Sequence, residues 1–129
     1  MENENNNLKS LYLALFVLGI IETVLTLFLG YLVAIAVFVI ALMIKSKLPK
    51  DQPVPTGIKL MIIASSIHFL AFFFNIIFGV VMNFLFMDNS MVGIFIWIIS
   101  LLYLPIMLGV FILLIIGCIK VHEESKNLE

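Results

Sequence analysis

Three apolar stretches decide what this chain can become. From Ser10 to Ile44 the one formally charged residue is Glu22. From Leu60 to Met87 there is none, and from Asn89 to Ile119 there is none. A helix that crosses a bilayer needs ~20 mostly apolar residues, so each stretch is long enough. A water-soluble chain of 129 residues has too little interior to hide them. Its hydrophobic fraction is 64% and its charged fraction 12%, against ~45–50% and ~25% for soluble domains. The fold class that follows is all-α: a polytopic integral membrane helical bundle, one transmembrane domain over residues 1–129.

The breaks between stretches set the number of spans. Residues 48–57 hold Pro49, Pro53 and Pro55, which stop helices and favour extended backbone. Residues 87–91 form a short turn in which Asp88 or Ser90 can cap the next helix. The first stretch is too long for one span. As a single helix it would measure ~50 Å at 1.5 Å per residue, against a hydrocarbon core of ~30 Å. A tight hairpin at Gly30-Tyr31 resolves the mismatch, with Gly able to supply left-handed backbone. The expected spans are 8–29, 31–47, 58–86 and 91–119, with a cytoplasmic loop at 48–57 and a cytoplasmic tail at 120–129. The alternative is three spans, with a long tilted first helix.

Lysine placement favours four. With the N-terminus inside, Lys9, Lys45, Lys47, Lys50, Lys59, Lys120 and Lys126 all fall on the cytoplasmic side. The opposite turns carry no lysine, which is the positive-inside pattern. A cell membrane with both termini cytoplasmic is therefore expected. The wealth of Ile, Phe, Asn and Lys suits an AT-rich coding sequence and a bacterial inner membrane. The first apolar run is too long for a signal-peptide core and reads as an uncleaved span. The tail Lys120–Asn127 reads as the frayed, solvated end of the last helix, and Leu128-Glu129 as a possible tag junction.

Ionisable residues at membrane depth are costly and point to function. Glu22 is the main case, about two-thirds through the first span. Gly19, Glu22, Thr26 and Gly30 share one face at spacings of three and four. Hydrocarbon disfavours an ionised carboxylate, which suits a group that carries a proton or binds a cation. It equally suits a protonated carboxyl that hydrogen-bonds a neighbouring helix. The third span has a matching stripe: Ser65, His68, Phe72, Asn75, Gly79 and Asn83. A Glu22–His68 or Glu22–Asn75 hydrogen bond is geometrically reasonable, and a His–Glu pair could relay protons. The candidate polar site is thus Glu22, Thr26, His68 and Asn75. Pro105 should kink the last helix and free the Leu101 carbonyl, with Ser100 or a water to satisfy it. Gly30, Ala34 and Ala41 form a small-residue face suited to close helix contact.

Other functions are disfavoured. One His and one Glu are too few for a metal site, and the single Cys118 allows no internal disulfide. Phosphate-loop, dinucleotide, zinc-protease and hydrolase motifs are absent, so neither a cofactor nor an enzyme is expected. Without arginine, nucleic-acid partners are not expected either. In size, four-helix layout and the Ile20-Ile21-Glu22 context, the chain resembles the small multidrug resistance transporters. Its first hairpin turn is tighter, and their later aromatic and Gly/Pro motifs are missing, so it is not assigned to them. A holin fits on size, but Lys120 and Lys126 are balanced by Glu123 and Glu124 where holins carry a basic tail. The expected function is structural, accessory or regulatory, through self-association or a larger membrane partner in the lipid bilayer. The alternative is a proton- or cation-coupled transporter or channel using Glu22 and His68.

Overall fold

The computed structural model describes residues 2–26, 29–85 and 90–128. Four helices follow in order: α1 Glu2–Val24, α2 Gly30–Lys47, α3 Thr56–Leu85 and α4 Ser90–Lys126. The first apolar stretch is a hairpin, not one long helix. Each helix contains a segment long and apolar enough to cross a membrane. The expected capping by Asp88 or Ser90 falls outside the described residues and side chains.

Local chemistry ends α1 earlier than the pattern suggested. Thr23 Oγ1 donates to the Gly19 carbonyl at 2.7 Å, and Thr26 Oγ1 to the Glu22 and Thr23 carbonyls at 2.9 and 2.8 Å. Hydroxyls that bond back to the helix compete with its own ladder. The helix stops at Val24, so Glu22 lies in its last turn rather than two-thirds of the way along. Gly30 is the first residue of α2, and no described glycine has a left-handed backbone. The need for glycine there is steric. A Cβ on Gly30 would sit 2.6 Å from the His68 ring and 2.7 Å from the Leu25 carbonyl oxygen.

The helices pack in a ring, α1 on α2, α2 on α3, α3 on α4 and α4 on α1. Helices α1 and α3 therefore stand diagonally across the bundle. The small face of α2 is the contact face, with Ala34, Val37, Ala41 and Ile44 fully buried. Tyr12 and Leu15 of α1, Ile58, Met61 and Ala64 of α3, and Met107, Val110, Leu114 and Val121 of α4 complete the core.

The helices are unequal, as the expected spans were, and α4 runs longer than its expected span. At 1.5 Å per residue, α2 with 18 residues is about 27 Å long, and α3 with 30 is about 45 Å. Helix α4, with 37 residues, is about 55 Å. The α1–α2 turn lies level with the middle of α3, where Gly30 meets His68 and the Tyr31 ring stacks on Phe72 at 3.5 Å. Beyond that level only α3 and α4 continue. No residue from Phe73 to Leu85, nor from Gly93 to Ile106, is buried. The molecule is four helices thick at the end where the lysines gather and two helices thick at the other. Helix α4 runs through Pro105 without a break, and the Ser100 hydroxyl bonds the Ile96 carbonyl at 2.8 Å rather than serving Leu101.

The C-terminal tail is not a frayed end. Helix α4 continues to Lys126, Val121 is fully buried, and Leu128 packs against the core. Glu124 Oε1 accepts the Gly57 backbone N–H at 2.7 Å. That side chain satisfies one of the donors left free in the first turn of α3, and its charge sits at the favourable end of that helix's dipole. His122 stacks on Phe16, with ring centroids 4.9 Å apart. The exposed Lys120–Glu123 pair is 3.4 Å apart and contributes little.

Candidate functional site

Four polar side chains are buried among the described residues: Glu22, Thr26, Ser65 and His68, at 0, 5, 0 and 1% exposure. They come from diagonal helices and meet at the level of the α1–α2 turn. Helix α1 delivers Glu22 from its last turn because Tyr12, Leu15 and Gly19, at spacings of three and four, turn the same face inward. Helix α3 delivers Ser65 and His68 from the face that also buries Met61 and Ala64.

The bonding is complete for every polar atom of the cluster. Ser65 Oγ lies 3.3 Å from Glu22 Oε1 and 3.1 Å from Oε2, donating its one proton to the carboxyl. His68 Nδ1 is 3.0 Å from Glu22 Oε1, and His68 Nε2 is 3.2 Å from the Thr26 carbonyl oxygen. The imidazole thus bridges the side chain of Glu22 and the backbone of the turn four residues later. Gly30 leaves the space in which the ring lies. A carboxyl and an imidazole with no water contact are tolerable in an apolar core only when paired in this way.

Of the residues expected at the site, Glu22, Thr26 and His68 are brought together. Asn75 is not. It lies two turns beyond His68 on the same stripe, past the end of the α1–α2 hairpin, and is exposed. The Glu22–Asn75 bond is not formed, because α1 ends before it can reach that level. Asn83 is exposed likewise, and a Cβ on Gly79 would touch nothing within 4 Å. Ser65 was visible in the stripe but not assigned to the site. Its signal was its place three residues before His68, one turn back on the same face.

A cavity of about 670 Å³ borders the cluster. Thr23, Val24 and Thr26 form one wall and Leu104, Pro105 and Phe111 of α4 another. Its polar groups, the two threonine hydroxyls, are already bonded to α1 carbonyls. Among the described residues no group of three or more metal-binding side chains is found. No protein-family model matches the chain, and neither a curated protein nor a solved structure does.

Proposed function

We propose that this is a small accessory membrane protein that acts by docking a partner membrane helix against the far half of α3. The observation that carries this reading is the divided stripe of α3. One face runs Ser65, His68, Phe72, Asn75, Gly79, Asn83. Its first part is covered by α1 and α2. Its second part has no buried residue and presents two exposed carboxamides flanking a half-buried glycine, with Asn75 at the edge of the groove that α3 forms with Ile99, Leu102 and Tyr103 of α4. Lipid tails cover an apolar face without loss but offer a carboxamide no hydrogen bond. A partner helix supplies both a close approach at Gly79 and polar groups for Asn75 and Asn83. The chain's lysine distribution supports an orientation with the four-helix end, and both termini, in the cytoplasm of a bacterial cell. The bare stripe then lies toward the opposite leaflet.

Site-specific photocrosslinking in native membranes tests this. A benzophenone residue at Ile76, beside the stripe so that Gly79 is kept, should give a protein adduct, and one at Ile77, turned away from the stripe, should give none. An adduct of twice the chain's mass identifies a second copy, and any other mass a larger partner. Absence of a protein adduct at Ile76, with both probes labelling lipid equally, removes the reading.

Proton- or cation-coupled transport is a second reading, favoured by the 3.0 Å Glu22–His68 contact. It requires that Glu22→Gln abolish proton flux into dye-loaded liposomes under an imposed potential, with the fold retained. Docking requires no such loss.

A further inference from the structure

The geometry points to a site for one exchangeable proton, held between Glu22 and His68, that locks the α1–α2 hairpin onto α3. This inference stands apart from any partner at the far half.

Hydrogen-bond logic fixes the proton count. The Thr26 carbonyl oxygen is an acceptor only, so His68 Nε2, 3.2 Å away, must carry a proton. If the ring is neutral, Nδ1 is then a lone pair. It faces Glu22 Oε1 at 3.0 Å, so that oxygen must carry a proton and donate it. If the ring is cationic, Nδ1–H donates to a carboxylate. The two arrangements hold the same protons and the same net charge of zero. They differ only in which side of the contact the proton lies. Ser65 donates to the carboxyl in both. Removing the shared proton sets two lone pairs against each other in a core without water contact. The other neutral tautomer, with hydrogen on Nδ1, keeps a bond to the carboxylate but turns the Nε2 lone pair onto the Thr26 carbonyl and leaves an uncompensated charge in the core.

The surroundings supply no substitute proton or countercharge. Helix α2 presents Gly30 and Ala34 at this level, neither of which titrates. On α4 the titratable group that senses Glu22 is the Cys118 thiol. On α1 and α3 the neighbours are Thr23, Thr26 and Ser65. Within the described residues, the pair itself decides the charge of the cluster.

The consequence is a pH-dependent latch of definite sign. With the hairpin lifted and both groups hydrated, a carboxyl is ionised at neutral pH and an imidazole sheds its proton above about pH 6.5. Above that pH the docked state holds one more proton than the open state. Docking therefore weakens as pH rises, by up to about tenfold per pH unit for one proton.

Cys118 supplies a native reporter. It is the chain's one cysteine, it is 7% exposed, and it lies beneath α1, where a Cβ on Gly19 would come within 2.8 Å of its sulfur. The full chain in lipid vesicles is labelled with N-ethylmaleimide from pH 6 to 9 and followed by intact mass. Wild type is compared with Glu22→Gln, whose amide donates permanently to Nδ1 and so mimics the protonated carboxyl. The thiol reacts only once α1 has lifted and Glu22 no longer faces it, so its ionisation is alike in both proteins and cancels in the ratio. The wild-type to variant rate ratio should climb above about pH 7, at most about tenfold per unit. A flat ratio overturns the latch. Should Glu22→Gln label fast at every pH, nitrogen NMR of His68 in the wild type decides. Protonated Nε2 at neutral pH, with a strongly hydrogen-bonded proton at Nδ1, upholds the site. An unprotonated Nε2 in the docked protein refutes it.

Discussion

Helix α3 is one apolar helix in two environments. From Gly57 to His68 its inner face is buried against three other helices, and its polar groups are bonded. From Phe73 to Leu85 the continuation of the same face has no buried residue, and its carboxamides are exposed. The residue types hardly change between the halves. What changes is whether α1 and α2 extend far enough to meet them. A polar residue in a membrane helix thus has no fixed meaning. At Glu22 and His68 it closes a seam, and at Asn75 and Asn83 it leaves one open.

That contrast can be broken most sharply at the buried pair. Glu22→Ala removes the partner of Ser65 and His68 together and leaves both buried. It should cost about 2–4 kcal/mol of stability in detergent titration. Asn75→Ala, two turns past His68, should cost less than about 0.5 kcal/mol in the same assay. Equal losses would show that the far half is as constrained as the near half.

Glycine substitutions sharpen the comparison within α3. A Cβ on Gly57 would lie 2.7 Å from the Val121 backbone nitrogen and 2.9 Å from the Lys120 carbonyl carbon. Backbone cannot swing aside, so Gly57→Ala should destabilise by about 1–3 kcal/mol. Gly79→Ala meets open space and should stabilise the isolated chain by up to about 1 kcal/mol through helix propensity. Opposite signs in thermal unfolding are the expected result. The same change should weaken crosslinking at the far face if a helix packs there.

Glu124→Ala removes the acceptor for the Gly57 N–H and should cost about 1 kcal/mol, read by the same unfolding assay. Smallest of all is Lys120→Ala, which breaks an exposed pair and should change stability by less than about 0.5 kcal/mol. A larger effect would mean that the tail's charges are coupled beyond the Lys120–Glu123 contact.

Much of this was legible in the chain. Apolar length against bilayer thickness gave four helices, and the hairpin followed because one helix of that length could not fit. The i, i+3, i+4 spacing of Gly19, Glu22 and Thr26, and of Ser65 and His68, identified the inward faces. Periodicity reports direction around a helix, however, and not height along a neighbour. It therefore grouped Asn75 with His68 although two turns separate them.

The sequence by itself determined that there are four helices and which faces of α1, α2 and α3 turn inward, because these depend on local apolar content and on a 3.6-residue repeat. Only the tertiary structure decided which levels meet. The α1 end at Val24, set by threonine hydroxyls bonding back to carbonyls, and the close approach of Gly30 to His68 fix the hairpin at half the height of α3. That register brings Glu22 to His68 and leaves Asn75 and Asn83 exposed. It likewise turned an apparently solvated tail into the cap of α3, because Glu124 reaches Gly57 only after the helices have packed side by side.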